Sequence, residues 1–117
     1  MLEKVERMSW LMDFYGPLLT ERQQRILQLH YDHDWSLAEI AAELGVSRQA
    51  VHDVLRRSEK ALEAYEERLG LLEKFRRDRS LIRQAVELLS QVEEAGAALP
   101  VARVKRLLAV VLETPQE

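Results

Sequence analysis

Arg48, Gln49, His52, Asp53, Arg56 and Arg57 stand close together in the chain, at spacings that leave them exposed along one helix. Arginine and glutamine near the start of a helix suit paired hydrogen bonds to the edges of nucleic-acid bases. Asp53 does not help near phosphate, although a carboxylate can accept from cytosine. Residues 36 to 60 hold four basic side chains (Arg48, Arg56, Arg57, Lys60) and four acidic ones (Glu39, Glu43, Asp53, Glu59). That segment is therefore neutral by count, and a merely solvated helix face fits the same residues.

A second cluster follows. "KFRRDRSLIR", residues 74 to 83, carries Lys74, Arg76, Arg77, Arg79 and Arg83 against the single acid Asp78, with Arg68 just before it. Such a patch suits RNA or another phosphate-rich partner. It equally suits an acidic protein surface, or simply the solvated end of a helix. Phe75, inside it, could stack on an unpaired base or continue an apolar seam. A third group, "HYDHDW" at 30 to 35, places His30 and His33 three apart with Asp32 and Asp34 beside them. The spacing permits a metal, but histidine also favours a helix C-terminus unaided, so no metal is expected. Trp35 reads as an anchor for the loop. No nucleophile has a base beside it and no glycine-rich loop could cradle a phosphate, so neither catalytic residues nor a cofactor are expected.

The elements that position these residues are helices. Apolar residues recur at helical spacing and no long stretch alternates with period two, which predicts an all-α fold. A first helix spans Leu2 to Tyr15, with Val5, Met8, Met12 and Tyr15 inward, and Gly16-Pro17 closes it. Thr20 with Gln23, and Ser36 with Glu39, are capping boxes that start the second and third helices. Ile26, Leu27 and Tyr31 are the expected inward residues of the second. The third carries Leu37, Ile40, Ala41 and Leu44 and ends at Gly45, where glycine tolerates the required positive φ. Ser47 caps the fourth, whose Val51 and Val54 face back toward Ile40 and Leu44. Small Ala41, the Gly45 turn, the Val46 plug and the Ser47 cap together predict a helix-turn-helix over about 36–57, rather than a plain α-hairpin.

The fourth helix shows no stop for some thirty residues, with Gly70 its only weak spot. Val51, Leu55, Ser58, Leu62, Tyr65, Leu69 and Leu72 form a heptad seam along it. Either the first helix or a second copy must cover that seam, and a homodimer is expected. Leu81, Ala85, Leu88, Leu89 and Val92 mark a fifth helix. Gly96 and Pro100 precede a sixth with Val101, Val104, Leu107, Leu108 and Val111. The length fits one domain, 1–117, with a C-terminal helical extension at 80–113.

Composition narrows the class. The chain has no cysteine, which fits a reducing cytoplasm and argues against disulfides and thiolate zinc. "MLEKVERMSW" lacks the order of a signal peptide, and no apolar run approaches the roughly 20 residues of a membrane span. The net charge of −3 counts against a dedicated non-specific DNA binder unless charge is segregated by the fold.

"LTERQQRILQLHY" followed by "SLAEIAAELGVSRQAVHDVLRR" resembles region four of bacterial sigma factors, which reads promoter DNA. The opening "MLEKVERMSWLMDFYGPLLTERQQ" and the continuation "VSRQAVHDVLRRSEKALEAYEERLGLLEKF" resemble the YlxM-type family of small helix-turn-helix proteins more closely. That likeness covers the first two-thirds of the chain and fades after about Arg83. It implies a non-enzymatic accessory or regulator of the signal recognition particle pathway, binding the particle's RNA, its GTPase or both. The alternative is a DNA-binding transcriptional regulator. Against promoter reading stands Leu55, an apolar residue where a promoter reader more often presents a polar one.

Overall fold

A computed structural model describes residues 2–95 and 100–112, and among these the regular elements are all helices. The helices are α1 (Leu2–Tyr15), α2 (Glu21–Leu27), α3 (Leu37–Leu44), α4 (Arg48–Leu69), α5 (Leu71–Ala95) and α6 (Val101–Leu112). Gly96, expected to separate the last two, lies outside the described residues. The chain divides into two compact units, Met1–Leu72 and Glu73–Glu117.

In the first unit α2, α3 and α4 each begin where a side chain satisfies an orphan N–H. Thr20 and Gln23 form both halves of a capping box at α2, and Ser36 and Glu39 do so at α3. Helix α2 widens after Leu27 into a π turn, Gln28–Asp32. Asp34 then adopts a left-handed φ of 60°, and the Trp35 N–H returns to the Leu29 carbonyl at 2.9 Å. His30 Nδ1 donates to the Trp35 carbonyl at 3.1 Å, so this histidine closes the loop on itself. His33 is exposed.

Gly45 ends α3 with φ 68°, and the Val46 N–H bonds the Ala41 carbonyl at 3.1 Å. Ser47 Oγ then accepts from the Ala50 N–H at 3.0 Å and starts α4. The turn between α3 and α4 is thus closed by backbone and cap together.

The core joins Met8, Leu11 and Tyr15 of α1 to Ile26 and Leu27 of α2, Ile40 and Ala41 of α3, and Val51, Leu55 and Leu62 of α4. On α1 the inward stripe is rotated from the expected one. Leu11 is fully buried while Val5 is 40% exposed. Both sets have helical spacing, and only packing against α4 chooses between them. Helix α1 covers the α4 seam within the chain. Tyr15 and Tyr65 meet as tilted rings 5.9 Å apart between centres, and Arg7 grips Glu63 with two hydrogen bonds of 2.7 Å. Ser58, buried in the seam, returns its hydroxyl to the Val54 carbonyl at 2.7 Å. Leu69, the one seam residue that fails, is 56% exposed.

The expected thirty-residue helix is broken. Gly70 takes φ 62° and ends α4, and its N–H bonds the Glu66 carbonyl at 2.8 Å. A single glycine suffices because the next helix start is capped from outside. Tyr15 Oη accepts from the Leu71 N–H at 3.0 Å, and Glu66 Oε1 accepts from the Leu72 N–H at 3.0 Å. The same Tyr15 hydroxyl donates to Glu66 at 2.6 Å. Burial, then this carboxylate, raises the Tyr15 phenol above its ordinary pKa. The fifth helix consequently starts at Leu71 rather than near residue 80.

The second unit holds α5 beyond Leu72 and α6. Ala85 and Val104 are its buried apolar residues among those described.

An added Cβ at Gly70 would meet nothing within 4 Å, so substitution there tests conformation alone. Gly70→Ala should lower the unfolding free energy by about 1 kcal/mol, measured by urea denaturation, because alanine resists the left-handed region.

Candidate nucleic-acid interface

Helix α4 buries Val51, Leu55, Ser58 and Leu62 on one side, and this fixes what points the other way. Arg48, Gln49, Asp53, Arg56, Arg57 and Lys60 are exposed, and His52 is half-buried among them. They line two adjoining shallow recesses. Leu37, Arg48, Gln49 and His52 form the first, and His52, Asp53, Arg56, Arg57 and Lys60 the second. Lys60 was not among the expected contact residues. Its signal is its place one helical turn beyond Arg56.

The neutral count of residues 36 to 60 does not survive folding, because the acids are drawn away. Glu39 is spent in the capping box, where the hydrogen bond from the Ser36 N–H holds its carboxyl below the usual range. Glu43 lies 3.9 Å from Arg25. Glu59 is buried, accepts from the Tyr31 hydroxyl and lies 3.7 Å from Lys4. Asp53 alone stays on the outward face, taking a 2.9 Å hydrogen bond from Gln49 Nε2. His52 Nδ1 sits 3.7 Å from the same carboxylate without a hydrogen bond. Among the described residues no ion pair engages Arg48, Arg56, Arg57 or Lys60. The exposed face is therefore strongly basic on an acidic chain.

Leu55 no longer counts against base reading. It is 5% exposed and belongs to the core, so it never reaches the outward face. Its apolar character is required by the packing of α4.

The second basic cluster is partly occupied. Lys74 Nζ pairs with Asp78 at 2.8 Å and Arg77 approaches the same carboxylate at 3.6 Å. The Lys74 hydrogen bond is the main reason the Asp78 carboxyl titrates below its ordinary range. The Arg79 guanidinium lies over the Phe75 ring at 5.5 Å, a cation–π contact that covers this ring. Arg76 and Arg83 on α5, and Arg68 on α4, are exposed. Among the described residues no helix is long and apolar enough to cross a membrane.

A capped, glycine-turned helix pair whose second helix presents an exposed face at its N-terminal end defines the helix-turn-helix class. Residues 2–99 match the family model described as "Putative helix-turn-helix protein, YlxM / p13 like", and the chain belongs to this family. A UPF0122 protein of Geobacillus kaustophilus is 50% identical over 99 residues, covering 85% of this chain and 90% of the relative. One from Symbiobacterium thermophilum is 49% identical over 96 residues, 82% of this chain and 90% of its own. One from Desulforamulus reducens is 40% identical over 116 residues, 99% of each chain. The likeness therefore runs past Arg83, where it was expected to fade, through α5. The last of these relatives also spans α6.

Tyr31 holds Glu59 inward, and its phenol is raised above the ordinary tyrosine pKa, first by burial and then by that carboxylate. A phenol raised on folding contributes stability that is present below about pH 10 and lost as pH climbs beyond it. Tyr31→Phe should cost about 1–3 kcal/mol at neutral pH, since Glu59 loses its donor. It should also make the decline of stability above about pH 10 shallower, read from urea midpoints across an alkaline series.

Proposed function

We propose that the protein is a non-enzymatic helix-turn-helix regulator, acting in the cytoplasm, that lays the outward face of α4 in the major groove of duplex DNA. The observation that carries this is the segregation of charge. Arg48, Arg56, Arg57 and Lys60 stand exposed on the first part of α4 while Glu39, Glu43 and Glu59 are engaged elsewhere. Duplex DNA is favoured over duplex RNA because the RNA major groove is too deep and narrow for a helix to read. A regulator resembling sigma region four fits this face, now that Leu55 is accounted for by the core.

Fluorescence anisotropy with a random duplex should give binding that weakens steeply with salt. Replacing Arg48, Arg56 and Arg57 together with Ala should reduce the log–log salt slope by about 3, with unchanged helicity. No duplex binding by the unaltered protein, even at low salt, would overturn the assignment.

A second role is favoured by the exposed Arg68, Arg76 and Arg83. The family resemblance points to the signal recognition particle, and these arginines suit its RNA or an acidic face of its GTPase. In the same assay with the particle's RNA, Arg76→Ala with Arg83→Ala should weaken binding several-fold. A pull-down with the GTPase tests the protein partner.

Pairing of two copies belongs to the same proposal, through a surface other than the α4 seam that α1 fills. On α5, Ile82, Val86 and Leu89 are 43%, 54% and 44% exposed at helical spacing. The first half of α5, to Arg83, carries five basic and two acidic residues, and the second half three acidic and none basic. Two α5 helices laid antiparallel would thus attract along their length. Sedimentation velocity should show a dimer at tens of micromolar that dissociates on dilution and is abolished by Val86→Glu. A monomer throughout that range would sink the pairing.

A further inference from the structure

Asp53 is the acid left on the outward face of α4, where a polyphosphate ligand disfavours it, and its surroundings say what it is for. Gln49 Nε2 donates to Asp53 Oδ1 at 2.9 Å, one helical turn apart. A carboxylate can only accept, so the amide nitrogen of Gln49, not its oxygen, must face Asp53. That nitrogen carries two N–H groups, one cis and one trans to Oε1. With the trans N–H given to Asp53, the cis N–H remains beside Oε1 on the free edge of the amide.

A donor next to an acceptor complements the major-groove edge of adenine, which offers an N7 acceptor and an N6 amino donor. It does not match guanine, which offers two acceptors, N7 and O6. An untethered glutamine could turn both N–H groups toward guanine. A glutamine held by Asp53 cannot, and its oxygen would oppose guanine O6. We infer that Gln49 reads adenine and that Asp53 is the positioning residue that confines it to adenine. The inference rests on α4 entering a major groove, as proposed above, and adds the base it selects.

Position supports the pairing. Gln49 and Asp53 are both exposed, near the N-terminal end of α4, where a groove-bound helix brings side chains to base edges. Arg48, Arg56, Arg57 and Lys60 surround them as exposed cations able to hold flanking phosphates. His52 contacts the same carboxylate only at 3.7 Å, too far to compete with the amide for it.

The test is selection from a random duplex library by the full-length protein, its Gln49→Ala variant and its Asp53→Ala variant, with circular dichroism confirming each fold. The unaltered protein should enrich an A·T pair over G·C at one position, roughly ten- to hundred-fold. Gln49→Ala should lose that preference. Asp53→Ala should reduce it to a few-fold, while affinity for random duplex rises because a negative charge near phosphate is gone. Opposite movement of selectivity and affinity separates positioning from simple repulsion, which would raise affinity for all sequences alike. Adenine preference intact in Asp53→Ala would overturn the inference. So would loss of a cytosine preference in that variant, since Asp53 would then read the base itself. Duplex binding with no adenine preference sinks the inference and leaves the proposed function standing, whereas no duplex binding at all removes both.

Discussion

Helix α4 has one apolar stripe, and wherever that stripe is buried decides where every charge on the helix goes. Val51, Leu55, Ser58 and Leu62 are drawn under α1, α2 and α3, and the helix cannot roll without exposing them. Fully burying a leucine contributes roughly 1.5–3 kcal/mol, whereas an exposed ion pair contributes at most about 1 kcal/mol. The apolar side therefore sets the rotation, and the polar contacts adapt to it. With that rotation fixed, Arg48, Arg56, Arg57 and Lys60 have nowhere to point but outward.

Electrostatics then works by subtraction. The chain is acidic as a whole, and a basic face arises because individual carboxylates find structural employment. Glu39 caps a helix, Glu59 takes the Tyr31 hydroxyl, Glu63 takes Arg7, and Glu66 takes Tyr15 and the Leu72 N–H. Each accepts a hydrogen bond from its own structural partner, and none lines the recesses formed by Arg48, Gln49, His52, Arg56, Arg57 and Lys60. Net charge is thus a poor guide to what this surface attracts, because the relevant quantity is the field over one face.

Much of this was legible from local chemistry. The bounds of α1, the two capping boxes, the Gly45 turn and the Ser47 cap depend on residues within four positions of one another, and the chain displays them openly. What escaped depends on distant partners. Leu55 looked like a misplaced reader because its burial is decided by α1 and α2. Leu11 replaced Val5 on the inward face for the same reason. Gly70 looked like a tolerated weak spot, since the groups that cap α5 come from Tyr15 and Glu66. The candidate contact residues were visible as residue types, but their basic field was hidden by a local tally that included Glu59, which the fold turns inward.

The Tyr15 hydroxyl carries a consequence for how the chain comes together. It meets the Leu71 amide across 56 positions of sequence, as Arg7 meets Glu63 across 56. A protein emerging from the ribosome thus exposes α1 long before its mates exist. Until α4 (Arg48–Leu69) has been synthesised, Met8, Leu11 and Tyr15 have no α4 to lie against, and the earliest segment made waits for a late part of its unit.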